Sequence, residues 1–306
     1  MEKKILKSYE KNLAKTLREN SVNSYIRDID NMYMYIEEKY PERNSEKKIL
    51  SETTYFDIEE MFEEKKYKAS TYNRKILAFN CYYDWLVTIG IIEKNFMKAF
   101  KMIRKEQVQE ETQEKNIFSF DDFKKILVEA KPMDRALFSL MYISGARISE
   151  VLSIKFEDIE ECDGYKKITI DKSRVKNKIE KKIYVPNNTM VERYFNCWLA
   201  IRKKIKTTDD EYLFIGRNGK NLLGRSKDFN DKLNTITKRL NMRKISNHCF
   251  RHSCVIRCEE LGTPNDTIRK FIGWQEPSVL GKVYSNHNTE SKEKIMVDLA
   301  RKIITD

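Results

Sequence analysis

The sequence predicts a protein of two domains that is mainly α-helical and carries a small β-sheet in its second domain. Its 306 residues exceed what one typical hydrophobic core accommodates. Through the first hundred residues, apolar side chains recur at steps of three and four, the spacing of one helix face. Apolar and polar residues alternate, as in a half-buried strand, only around Ile168–Ile170 and Ile183–Val185.

The first domain, residues 1–105, is predicted to be a small bundle of four helices. Four stripes of apolar residues carry this prediction. They are Leu6, Tyr9, Leu13 and Leu17; Ile26, Ile29, Tyr33 and Ile36; Tyr55, Ile58 and Met61; and Tyr72, Ile76, Phe79, Tyr83 and Leu86, the last ended by Gly90. Aromatic residues at helical spacing are typical of a core, so we interpret them as core rather than as a ligand box.

A linker of residues 106–115 and a second domain of residues 116–306 complete the predicted organisation. The run RKEQVQEETQEK contains one apolar residue, Val108, and cannot bury a face. The second domain opens with a helix signal, Ser119 as N-cap with Asp122 three residues on. The basic run DKSRVKNKIEKK joins the two alternating segments and predicts a β-hairpin. Helices return after Pro186, which makes the domain mixed α+β.

Charge and residue usage narrow the class of function. The 59 Lys and Arg exceed the 47 Asp and Glu, which gives a net charge of +12. Such a charge favours polyanions, either nucleic acid or an anionic membrane surface. No apolar run reaches the roughly 18 residues that span a bilayer, and the charged start lacks the apolar centre of a signal peptide. We therefore expect a cytoplasmic, nucleoid-associated protein with six reduced cysteines.

An arginine lies at a helix start in the segment SGARISEVL. Gly145 permits a tight approach before Arg147, which then sits where free backbone N–H groups also favour an anion. Glu150 shares its helical face and can hold the guanidinium in place. A surface salt bridge is the alternative interpretation of this pair.

The segment NHCFRHS, residues 247–253, holds two of the three histidines of the chain. His248 and Arg251 share a helical face, and they combine a side chain that moves protons near neutral pH with one that grips phosphate. A zinc site is the alternative, with His252, Cys249, Cys254 and Cys258 as further ligands. The cysteines lack paired CxxC spacing, so we expect no metal and interpret Cys254 and Cys258 as buried small residues.

Three more residues complete the set of candidates. Lys172 stands where the first hairpin strand enters its turn; it is either a solvated turn lysine or a flexible cation that reaches a phosphate. Trp274 follows an apolar helix and Gly273. Tyr284 lies ten residues beyond Trp274.

The order of these residues resembles the signature of the tyrosine recombinases, the phage-integrase and Xer-like family. That signature is an arginine in a G-x-R-x-x-E segment, a lysine on a β-hairpin, an H-x-x-R pair, an L-G-(H/W) segment and then a tyrosine. In this sequence it falls on Arg147 with Glu150, Lys172, His248 with Arg251, Trp274 and Tyr284. The resemblance covers essentially the whole chain.

The sequence departs from the family's pattern in three ways. Trp274 stands where many members have histidine, and Tyr284 is one residue further on than the usual nine. Asp171 and Ser173 replace the glycines that usually flank the hairpin lysine. The lysine is consequently open among three residues: Lys172, Lys176 and Lys178.

The resemblance implies a strand-exchange chemistry. Tyr284 would attack a phosphodiester, leaving a 3′-phosphotyrosyl link and a free 5′-hydroxyl. His248 would be the general base, because a phenol with a pKa near 10 needs help in losing its proton, and Lys172 would protonate the departing oxygen. The donors to the phosphate oxygens would be Arg147, Arg251 and Trp274. No metal ion, ATP or other cofactor is then required.

The resemblance also implies partners and alternatives. We expect a helical, SAM-like core-binding domain and a catalytic domain that together clamp duplex DNA with inverted-repeat core sites. A homo-tetramer would form on DNA through the C-terminal helix, whose stripe is Ile295, Leu299 and Ile303; packing of this helix on its own domain is the alternative. Accessory DNA-bending proteins are possible partners. The alternative functions are type IB topoisomerase-like relaxation and a non-catalytic DNA-binding or regulatory protein.

Overall fold

The computed structural model describes residues 3–104, 117–205, 207–273 and 289–305. The chain divides into two compact units, Met1–Gln113 and Glu114–Asp306, and each has a hydrophobic core of its own. Within the described ranges, no helix is both long and apolar enough to cross a membrane.

The first unit is built from helices. They are α1 (Lys4–Leu13), α2 (Glu19–Lys39), α3 (Glu46–Glu52), α4 (Tyr55–Lys65), α5 (Ala69–Thr88) and a 3₁₀ turn (Phe96–Ala99). The predicted stripes form its core, but Leu17 is 37% exposed because α1 ends before it. Helix α3 was not predicted, since Ile49 and Leu50 are its only apolar residues and make no stripe.

Glu46 connects α3 to the start of α1. Its carboxylate oxygens accept hydrogen bonds from the backbone N–H groups of Ile5 and Leu6, each at 2.8 Å. The first N–H groups of a helix have no partner within the helix, and negative charge is favoured there. A residue 40 positions away therefore caps α1.

The second unit contains helices and one sheet. The helices are α6 (Phe120–Glu129), α7 (Pro132–Ser144), α8 (Ile148–Leu152), α9 (Met190–Arg202), α10 (Ser226–Arg239), α11 (Asn247–Glu260), α12 (Asn265–Ile272) and α13 (Thr289–Ile303). The strands are β1 (Ile159–Cys162), β2 (Tyr165–Ile170) and β3 (Lys181–Pro186). Helix α7 is buried all round from Ala136 to Ser144, as expected for a helix enclosed by its neighbours, and it packs against α9, α11 and β3.

The sheet is antiparallel in the order β1-β2-β3. The predicted hairpin is confirmed: Ile168 lies opposite Ile183, and Ile170 lies opposite Lys181. Strand β1, with the sequence IEEC, was not predicted because it has no alternating pattern. Asp171 to Glu180 connect β2 to β3 and include a 3₁₀ turn at Lys172–Arg174.

The C-terminal helix α13 packs on its own unit. Leu299 and Ile303 are buried as predicted, together with Val297 and Ala300, but Ile295 is 54% exposed. Each four-residue step turns the helix face by about 40°, so a stripe at such steps leaves the interface within two steps. In this single chain the alternative of packing on its own domain is therefore the one observed.

Candidate functional site

The turn between α7 and α8 packs closely against two further helices, α11 and α12. Gly145 has a φ of +57°, and a Cβ added there would lie 2.9 Å from Cγ2 of Ile272 and 3.4 Å from Sγ of Cys254. Glycine is therefore required both by its backbone conformation and by the close approach of α11 and α12. The turn then presents Arg147 as the residue that precedes α8.

Glu150 orients Arg147. Its carboxylate, 1% exposed, accepts from the backbone N–H of Arg147 at 2.9 Å and from Nη1 of the same residue at 2.7 Å. The Arg147 side chain is 26% exposed. The spacing thus brings the two residues together as predicted, and the carboxylate is buried rather than part of a surface salt bridge.

Arg251 lies on the first turns of α11 and points towards the same turn. Its Nη1 donates to the carbonyl oxygen of Gly145 at 2.6 Å. The helix start is fixed by Asn247, whose backbone N–H and side-chain amide donate to Asn230 Oδ1 and Ser226 O, each at 2.8 Å. Burial, and then the charge of Arg147, lower the pKa of Arg251 to about 10, so it remains a cation at neutral pH.

His248 is held among cations. Burial of part of the imidazole lowers its pKa, and the charges of Arg147, Arg251 and Lys176 lower it further. The neutral imidazole is therefore the main form at pH 7, and it can accept a proton. The positive charges of Arg147, Arg251 and Lys176 repel one another around the neutral imidazole. A bound anion would reduce that repulsion.

The three hairpin lysines occupy different places. Lys172 is exposed in the 3₁₀ turn, beside Asp171, whose pKa its charge helps to lower. The charge of Lys176 is one of those that lower the pKa of His248. Lys178 has a φ of +58°. Asn177, between the latter two, donates its amide to the carbonyl oxygen of Gly273 at 2.6 Å, so this part of the connection contacts the end of α12.

Lys181 was missed at the level of sequence. Its Nζ is buried, and burial, followed by the charge of Arg251, lowers its pKa. The alternation that predicted the strand also contained the signal, because Lys181, Ile183 and Val185 fall on one face. A lysine is ordinarily assigned to the solvent side, which is why the pattern did not reveal it.

Two predicted residues and the question of a metal remain. Trp274 and Tyr284 lie outside the described residues. Over the part of the chain that the structure describes, no group of three or more His, Cys, Asp and Glu side chains could hold a metal ion. Cys254 and Cys258 are buried on α11 as predicted.

We predict that Glu150→Ala destabilises the second unit. Removing one partner of a buried, hydrogen-bonded ion pair costs about 3 kcal/mol, the lower end of the usual range because Arg147 is partly exposed. Chemical denaturation of the whole protein measures this difference. Glu157→Ala is the control, since its side chain is 73% exposed and should change stability by less than about 0.5 kcal/mol. Equal effects of the two substitutions would contradict the orienting role of Glu150.

The geometry defines a cationic site with a neutral histidine on a mixed α+β domain, and comparisons with known proteins show the family of the chain. The family model described as the phage integrase family matches residues 108–291. The chain belongs to this family.

Tyrosine recombinase XerC of Staphylococcus carnosus (strain TM300) is 24% identical over 166 residues, 54% of this chain and 53% of the relative. For XerC of Staphylococcus haemolyticus (strain JCSC1435) the identity is again 24% over 166 residues, 54% of this chain and 52% of the relative. The chain thus matches about half the length of these curated relatives.

Solved structures share the fold. A lambda integrase (75–356) dimer bound to a COC' core site has a TM-score of 0.63 and 15% identity, over 90% of this chain and 98% of that chain. XerH bound to palindromic difH substrate, in a post-cleavage complex, has a TM-score of 0.65 and 14% identity, over 89% and 88%. A lambda integrase tetramer bound to a Holliday junction has a TM-score of 0.65 and 15% identity, over 91% and 79%.

Proposed function

We propose that the protein is a site-specific DNA recombinase that cuts and rejoins duplex DNA through a 3′-phosphotyrosyl intermediate, in the integration, excision or resolution of a mobile element or replicon. The observation that carries the proposal is the convergence of Arg147 and Arg251 with a neutral His248. Membership of the phage integrase family and the likeness to XerC support the same chemistry.

The two arginines suit the charge that develops at phosphorus. Cleavage by an oxygen nucleophile passes through a five-coordinate phosphorus whose non-bridging oxygens gain negative charge. Arg147 and Arg251 carry forked donors that match these oxygens, and both are oriented before DNA binds, by Glu150 and by the Gly145 carbonyl. Such preorganised donors do what a metal ion does in other enzymes, so we propose that neither metal nor ATP takes part.

Proton transfer is assigned to His248 and a hairpin lysine. His248, neutral at pH 7, would accept the phenolic proton of Tyr284 as the oxygen attacks phosphorus. The departing 5′-oxygen would take a proton from a lysine of the connection between β2 and β3. The sequence favoured Lys172 as this acid; the contact of Asn177 with Gly273 supports Lys176 or Lys178 instead. Trp274 would donate its indole N–H to the phosphate.

We propose that the protein works as a homo-tetramer on inverted-repeat core sites. The 3′-phosphotyrosyl link conserves the energy of the cleaved bond, so a 5′-hydroxyl from a second duplex can reverse the step, and exchange needs four active chains. The lambda integrase tetramer on a Holliday junction and XerH on a palindromic substrate support this assembly. Helix α13 would leave its own unit and pack on a neighbour. Residues 1–105 would act as the core-binding domain and 116–306 as the catalytic domain, with DNA-bending proteins as accessory partners.

A suicide DNA substrate tests the proposal. The duplex, taken from DNA that flanks the gene, carries a nick near the cleavage point, so the short 5′-hydroxyl fragment diffuses away and traps the adduct. The full-length protein in EDTA is expected to give a covalent adduct that resists denaturation. Mass spectrometry of the DNA-linked peptide should identify Tyr284.

Three other results would contradict this function. An adduct that forms only in the presence of a divalent metal would contradict the metal-free mechanism. Tight DNA binding without any adduct would favour the non-catalytic DNA-binding protein. Relaxation of supercoiled plasmids that lack the site, at an undiminished rate, would favour type IB topoisomerase activity.

A further inference from the structure

Lys181 lies inside the second unit, although lysine side chains usually reach solvent. It is 3% exposed, lies opposite Ile170 across the hairpin and shares the inward face of β3 with Ile183. An ammonium group taken out of water is costly unless hydrogen bonds compensate it. The contacts of Lys181 are therefore informative about its role.

The ammonium group joins the C-terminal ends of two helices. Nζ of Lys181 donates to the carbonyl oxygen of Ser144, the last residue of α7, at 2.8 Å, and to that of Phe271, near the end of α12, at 2.6 Å. It also lies 5.8 Å from the centre of the Phe271 ring. The last carbonyls of a helix lack intrahelical donors and carry partial negative charge, so one cation satisfies both ends.

Each of these helix ends leads directly into the site. Ser144 precedes the turn that holds Gly145, the acceptor of Arg251, and Arg147, the second arginine. Phe271 lies two residues before Gly273, the residue that the hairpin contacts through the Asn177 amide. One side chain of β3 thus connects the arginine-bearing turn to the end of α12.

We propose that Lys181 is a positioning residue for phosphodiester cleavage, acting through the carbonyl groups of Ser144 and Phe271 to hold these two segments of the site in a fixed relation. The inference rests on the proposed function. Methionine has a similar length and would fill the same space without burying charge. What the lysine adds is therefore the pair of hydrogen bonds.

The two hydrogen bonds of Lys181 persist across neutral pH. Burial, and then the charge of Arg251, lower the pKa of Lys181 to about 7, against an opposing effect of Glu150. Both the ammonium and the neutral amine carry at least two N–H donors, enough for the two carbonyls. The titratable groups that face Lys181 are Arg147 from the turn before α8, Glu150 from α8, and Arg251, Cys254 and Cys258 from α11.

The experiment compares Lys181→Met with Lys182→Met in the full-length protein. Lys182 is the adjacent strand residue on the opposite face, with a side chain 38% exposed. Three quantities are measured: the dissociation constant for the DNA site, the single-turnover cleavage rate at saturating DNA, and hydrogen exchange at residues 144–148 and 270–273. In Lys181→Met the cleavage rate should fall about 100-fold, the usual cost of a misplacement near 1 Å, and both segments should exchange faster. Affinity should stay within about threefold, and Lys182→Met should match the wild type within that margin.

The outcomes separate the possible roles. Slower cleavage with unchanged exchange would overturn positioning, because Lys181 would then act on DNA directly. A lost affinity with an unchanged saturated rate would overturn it as well, and so would an unaltered rate. If Lys181→Met does not fold, Lys181→Gln is measured in its place, because it replaces the ammonium by an amide one atom nearer the backbone; slower cleavage at unchanged affinity with faster exchange in the two segments supports the proposal, and a wild-type rate overturns it. If the wild-type protein makes no adduct, the proposed function fails, whereas the exchange measurement still tests whether Lys181 holds the two segments.

Discussion

Tyr284→Phe is expected to reduce covalent capture of DNA by roughly four orders of magnitude or more, the usual consequence of removing a nucleophile. Phenylalanine keeps the ring and lacks the oxygen that bonds to phosphorus in the proposed mechanism, so no other property of the side chain can compensate. Affinity for the DNA site should change by less than about threefold, because the hydroxyl serves bond formation more than binding. The measurement is adduct formation on the nicked substrate beside a binding assay on the same duplex.

Tyr212→Phe is the matched control for this substitution. Tyr212 belongs to the same unit and is half-buried, at an isolated bridge with Lys155. Its loss of a hydroxyl should leave cleavage within about threefold of the wild type. Persistence of the adduct in Tyr284→Phe would assign the nucleophile to another of the sixteen tyrosines.

The sequence predicted those parts of the site that depend on local spacing. Arg147 and Glu150 are one helical turn apart, and so are His248 and Arg251, so a helix alone determines that each pair shares a face. The contact between the two pairs, through the Gly145 carbonyl, joins residues 106 positions apart. Periodicity contains no information about such a contact, because tertiary packing determines it.

The hairpin and the C-terminal helix show where patterns fail. Alternation predicted β2 and β3. The position of the long connection between them depends on the hydrogen bond from Asn177 to Gly273, which no residue propensity encodes. Lys181 is a charged residue at an inward-facing position of β3, and only its hydrogen bonds to two carbonyl oxygens account for that position. Helix α13 has apolar residues on more than one face, so its sequence was compatible with several interfaces.

Arg251→Lys is expected to lower the saturated cleavage rate about 1,000-fold, the upper range for loss of one preorganised donor to a developing charge. In the proposed mechanism the guanidinium, whose Nη1 donates to the Gly145 carbonyl, also donates to the phosphate through its planar fork of N–H groups. A lysine ammonium keeps the charge but concentrates its donors on one atom, so it cannot span both partners in the same geometry. Arg257→Lys, on the same helix with its guanidinium on Glu260 and Thr305, is the control and should stay within about threefold.

A change in the substrate distinguishes phosphate contact from a purely structural role of Arg251. A methylphosphonate at the cleavage position replaces one charged non-bridging oxygen by a neutral methyl group, so less negative charge develops at phosphorus. If Arg251 neutralises that charge, the ratio of wild-type to Arg251→Ala cleavage rates should fall at least tenfold on this substrate, equivalent to about 1.4 kcal/mol of interaction with the missing oxygen. An unchanged ratio would mean that the arginine acts only by holding the Gly145 turn.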